Sequence, residues 1–160
     1  MRWRAWIASM VALGCSASPM RAGQVPRSEV RALVVRLRPG EDLKRELDAL
    51  AEREHIEAGA IATCVGSLER VALRFADQHD TTVIEGRHEI VSLVGTLARG
   101  GSHLHLAVSD GQGHTTGGHL MEGGRVYTTA EVVVLVFPDV RYARELDPRY
   151  GYHELVVRPR

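Results

Sequence analysis

The sequence predicts a single α+β domain, built mainly of antiparallel strands with one main helix. Three observations carry this: one stretch of helical periodicity before residue 57, a series of short β-prone runs bounded by glycine after residue 60, and a length of 160 residues. A chain of that length buries an ordinary core without disulfides or structural metal. Aromatic content is only 5 %, so the sheet must pack through Val, Leu and Ala.

Taken in order, residues 23–30 read as a polar linker, and RALVVRLRPG then gives a first strand closed by the turn pair Pro39-Gly40. Glu41 to Glu57 places Leu43, Leu47, Leu50 and Ala51 at helical spacing. Glu41 and Asp42 suit the first turn, and Gly59 is the expected stop. The runs IATCVGSL, VALRFA, EIVSLVGTL and HLHLAVS follow as short strands, and EVVVLVF is expected to be a central strand covered on both faces. Pro138 ends that strand. The remainder reads as a short polar segment, a turn at Asp147-Pro148 and a last strand from His153 to Val157, which sets the domain at residues 31–157 with a three-residue tail, 158–160.

The first 22 residues are a separate object. Arg2 and Arg4 precede an apolar run from Ala5 to Gly14, and the small residues Cys15 to Ser18 follow, the succession that secretory signals present. The expectation is export, periplasmic or lipid-anchored through Cys15; the alternative is an overextended start, with translation from Met20 and a cytoplasmic protein. No other stretch is long and apolar enough for a membrane helix. Cys64 lies in an apolar run and reads as a buried, inert thiol. Lys plus Arg equals Asp plus Glu at 20 each, so no global field draws the chain to nucleic acid or anionic lipid.

Four blocks carry a family resemblance by their joint order: GRHEIVSLVGTL at Gly86 to Leu97, HLHLAVSDGQG at His103 to Gly113, GGHL at Gly117 to Leu120, and VYTTAEVVV at Val126 to Val134. Together with the closing ELDPRYGYHELVV they resemble the PPC family, the plant-and-prokaryote conserved domain. The resemblance covers roughly four-fifths of the chain and implies an antiparallel sheet flanked by helix, assembled as a homotrimer. It also implies a protein-interaction segment at Gly86, Arg87, His88, Glu89 and Ile90, where His88 stands in place of an aromatic anchor. DNA binding enters by resemblance only. Plant relatives reach the minor groove through separate arginine hooks, and this chain has none, so binding to DNA is expected to be weak at most.

His103 and His105 are two apart in an alternating run, so a strand projects both from one face while Leu104, Leu106 and Val108 project from the other. His119 from the next strand would complete three neutral nitrogen donors with a fourth position open, a pattern suited to zinc, and zinc binding through matching histidines is also what the resemblance implies. A tight turn at Gly111-Gln112 would pair Leu104 with His119 and break the triad. The chain must therefore slip by one residue, through a longer loop or a bulge at Gly117-Gly118. His114 falls in the turn and is not a ligand. Ser67 and Ser109 carry no signature of an activated nucleophile. The functional expectation is a non-catalytic trimeric module with a zinc site at His103, His105 and His119. The alternative is a zinc-dependent hydrolase or lyase, for which Glu122 and Glu131 are the candidate bases.

Overall fold

The computed structural model describes residues 25–160, and every strand pairing in it is antiparallel. The element order is β1 (Arg31–Leu37), α1 (Leu43–Arg53), β2 (Gly59–Arg74), β3 (Thr82–Leu97), β4 (His103–Ser109), β5 (Thr115–Leu120), β6 (Arg125–Val136), β7 (Val140–Asp147) and β8 (Tyr152–Pro159). Six strands form one sheet in the order β1-β6-β2-β3-β4-β5. The far end of β2 also meets β5 through Leu73↔Leu120 and Arg74↔His119, so β2, β3, β4 and β5 close into a ring of pairings. The hairpin β7-β8 is a separate two-stranded sheet.

The helix forms where the periodicity put it. Its apolar stripe, Leu43, Leu47, Leu50 and Ala51, is buried against the sheet together with Leu37, Leu68, Leu104, Leu106, Val132 and Val134. Asp42 caps it by accepting from Arg45 N at 3.1 Å, and the second carboxylate oxygen accepts from Gly123 N at 2.6 Å, which fastens the helix start to the β5–β6 turn. The helix ends at Arg53 rather than Glu57. His55 takes a left-handed conformation (φ 51°) and Ile56 N returns to Ala51 O, a stop that needs no glycine, while Gly59 opens β2 instead.

Three further differences follow from the same frame. The two runs IATCVGSL and VALRFA are one 16-residue strand, bent by irregular register between Ile61 and Arg70. β6 is central, between β1 and β2, but covered on one face only: Val132 and Val134 are buried, Val133 and Leu135 half-buried. The polar segment after Pro138 is strand β7, paired residue for residue with β8 from Val140↔Pro159 to Asp147↔Tyr152.

The expected linker is partly fastened to the domain, since Glu29 N donates to Asp139 Oδ2 at 2.7 Å. The expected tail is likewise held, β8 running to Pro159 and Arg160 N donating to Asp139 O. The expected export signal, with Cys15 and Met20, lies outside the described residues. Among those described, no helix is long and apolar enough to cross a membrane.

Candidate metal centre

The β4-β5 hairpin builds the site. Ser109 pairs with Thr115, and the ladder runs without interruption to His105↔His119, so the one-residue slip lies in the turn and not in β5. The turn is a three-residue loop, Gly111 to Gly113: Gly113 N donates to Asp110 O, Asp110 N donates to His114 O, and Gly113 sits at φ +87°. Gly117 and Gly118 pair regularly, and the bulge expected there does not occur. Gly118 serves a close approach instead, because a Cβ on it would stand 2.8 Å from the carbonyl oxygen of Arg74 on β2.

Directly paired residues share a face, so His105 and His119 project together, and His103 joins them two residues along β4. Leu104, Leu106 and Val108 point into the core with 0–2 % exposure. One donor atom from each imidazole lies within 4.8 Å of the other two, and the ring centroids are 5.1–5.5 Å apart. His103 Nε2 and His105 Nε2 are 3.3 Å apart. Two nitrogens bonded at about 2.0–2.1 Å to one tetrahedral zinc would themselves stand about 3.3–3.4 Å apart, so this spacing fits a shared ion as well as it fits a hydrogen bond. His119 Nδ1 is buried with no hydrogen-bond partner among the described residues. An unsatisfied buried nitrogen is costly, and a cation at the cluster is one way to relieve it.

The electrostatics favour the neutral ring at His119 and at His103. Burial, then the neighbouring His103, Arg74 and His105, pulls His119 from 6.5 down to about 4. Burial, then Arg144 and His105, lowers His103 as well, against an opposing pull from Glu154. Neutral imidazole is the form that ligates.

Two clefts, of about 330 and 320 Å³, share His103, Arg144 and Glu154 in their linings, and Arg74 and Tyr152 line the second. Sequence reading missed these four. Arg144, Tyr152 and Glu154 come from the β7-β8 hairpin, where Tyr142 N donates to Glu57 O in the α1–β2 connection and Arg144 Nη2 donates to Thr96 Oγ1 on β3. Glu154 falls in the strand expected from His153 to Val157, with Tyr152 just before it, whereas the strand of Arg144 was not expected.

The other singled-out residues lie elsewhere. His114 is exposed in the turn, its Nδ1 3.2 Å from Asp110 Oδ2. Glu122 pairs with Arg45 at 3.7 Å, Glu131 is exposed on β6, and neither lines the clefts. Ser67 Oγ bonds Thr128 Oγ1. Cys64 is 5 % exposed and burial pushes its thiol up to about 12, an inert group. In the Gly86–Ile90 segment, His88 and Ile90 face inward, with His88 Nδ1 2.8 Å from Gly86 O. Arg87 and Glu89 face out, the Arg87 guanidinium 4.4 Å from the centre of the Tyr127 ring.

A family model described as the Plants and Prokaryotes Conserved (PCC) domain matches residues 25–138. Among curated proteins the chain is 42 % identical over 144 residues to the Bifunctional protein GlmU of Synechococcus sp. (strain JA-2-3B'a(2-13)), covering 90 % of this chain but only 23 % of that one. The chain therefore spans about a quarter of the length of the curated relatives it matches. A hypothetical protein from Salmonella cholerae-suis superposes with a TM-score of 0.83 at 42 % identity, over 84 % of this chain and 98 % of its own. The metal-containing protein AF0104 from Archaeoglobus fulgidus gives 0.73 at 25 % identity, over 83 % and 99 %. A candidate DNA-binding protein from Ralstonia eutropha JMP134 gives 0.68 at 28 % identity, over 77 % and 89 %.

Proposed function

The chain belongs to the Plants and Prokaryotes Conserved (PCC) domain family, and from that premise we propose that it is a trimeric, non-catalytic binding module whose His103, His105 and His119 hold a zinc ion. The observation that carries this reading is the convergence of three imidazoles from two adjacent strands, one of them with an unpartnered buried nitrogen. Three neutral nitrogen donors and an open side suit zinc. A bound zinc would supply Lewis acidity on the cleft side of the cluster. That a structural neighbour at 25 % identity is called metal-containing supports the same reading.

The trimer rests on the sheet face that carries the histidines. Val34 and Val94 on that face are 78 % and 54 % exposed, beside the half-buried Val133 and Leu135, and a β-sheet face of this kind calls for cover from another chain. The DNA-binding description of one neighbour carries little further here, since the chain is neutral overall and has no arginine hook. One observation favours a second reading, a zinc-dependent hydrolase or lyase: Glu154, rather than Glu122 or Glu131, shares the clefts with His103 and could take a proton from a bound molecule.

Elemental analysis of purified protein tests the zinc reading. One zinc per chain is expected in the wild type and in His114→Ala, and little or none in His105→Ala, with the fold retained because both side chains are exposed. Equal zinc in the wild type and His105→Ala, or none in either, would refute it.

A further inference from the structure

Two guanidinium groups flank the imidazole cluster, and the chain brings them from elements far apart in sequence. Arg74 ends β2 beside His119, its pairing partner across to β5, and Arg144 lies in β7. Both line the cleft that His103 and His119 share. Their bonds are to neutral oxygens: Arg74 Nη1 donates to Gln78 O at 3.3 Å, and Arg144 Nη2 to Thr96 Oγ1 at 3.1 Å. Among the described residues neither has a carboxylate within ion-pair distance, although Glu154 lines the same cleft, whereas Arg70 and Arg125 each have one and Arg99 has two.

The consequence is a cleft whose positive charge Glu154 alone does not balance, and a divalent cation on the histidines would add to that imbalance. Guanidinium forks without a protein carboxylate match the geometry of a ligand's carboxylate or phosphate. A volume of about 320 Å³ is that of a small-molecule site. A concave cleft on an otherwise neutral chain suits a small free anion better than the long, regular charge array of a duplex.

We infer that Arg74 and Arg144 hold a small oxyanion, the carboxylate or phosphate group of a free small molecule, in the cleft against the imidazole face. This rests on the reading of the three histidines as a ligand site and names the class of ligand it takes. Tyr152, in the same cleft, offers a ring and a hydroxyl to the remainder of that molecule.

The test is calorimetric titration with inorganic phosphate, acetate, uncharged acetamide and a short DNA duplex. Each is run on protein as purified and after zinc addition, for wild type, Arg74→Met and Arg144→Met, with metal content and melting temperature measured in parallel. The expected result is binding of phosphate or acetate but not acetamide, weakened at least about tenfold by either substitution, with metal content unchanged and a cooperative melt retained in both variants, Arg144→Met melting slightly lower for the loss of its bond to Thr96. Wild-type affinity in both variants, no anion binding by the wild type, or arginine-dependent binding of the duplex alone would overturn the inference. If no zinc is retained, the histidine reading fails separately, and arginine-dependent binding of phosphate or acetate to that same protein still decides for or against the anion site.

Discussion

At the scale of single residues, the three histidines differ in how they are held. His103 and His105 are exposed on β4, while His119 is half-buried on β5 with an orphaned nitrogen, and burial is the first cause of its low pKa of about 4. A group whose folded pKa lies below its unfolded value binds fewer protons in the native state across the interval between them. Stability therefore rises with pH through that interval. Metal-stripped protein should lose stability as pH falls from about 6.5 towards 4, and His119→Gln should lose less over the same range. Melting temperatures against pH check this; parallel curves for the two proteins would contradict it. The triad was legible because alternation alone fixes the faces of His103 and His105. Arg74, Arg144 and Glu154 were not, because nothing local to a β-strand shows which distant strand will lie beside it.

At the scale of elements, the hairpin between β4 and β5 decides whether a site exists at all. Its one-residue slip comes from the three-residue loop with Gly113 at positive φ, and the bare Gly118 lets β5 approach β2 at Arg74. Gly118→Ala would push a methyl to within 2.8 Å of a backbone oxygen, and either strand must then move. The expected cost is about 1–3 kcal/mol, together with weakened zinc retention because His119 moves with β5. Gly113→Ala forces an L side chain into the left-handed region and should cost about 1–2 kcal/mol. Denaturant unfolding and metal content check both, and a Gly118→Ala protein as stable and zinc-rich as the wild type would contradict the close-approach account. The helix and β4 were readable because their periods are clean over seven or more residues. β2 was read as two strands because bulges break its alternation, and β7 was missed because its apolar and charged residues, VRYARELD, do not alternate at period two. The need for a slip could be deduced from the histidines, but not its place, since a loop and a bulge satisfy the same register.

At the scale of the whole molecule, the three histidines and the apolar surface proposed for assembly lie on one face of the sheet. The exposed Val94 pairs directly with His105, so whatever covers the apolar face also bounds the imidazoles. A neutral chain with few free phosphate contacts should bind duplex DNA weakly and without sequence preference. Fluorescence polarisation at physiological salt checks this, and selective submicromolar binding would contradict it. The measurement that bears most directly on a zinc-bearing trimer is the native mass of the intact assembly, which counts chains and bound ions together. The account predicts three chains with one zinc ion per chain in the wild type, and a trimer stripped of zinc in His105→Ala; a monomer, or a wild-type trimer carrying no metal, would contradict it.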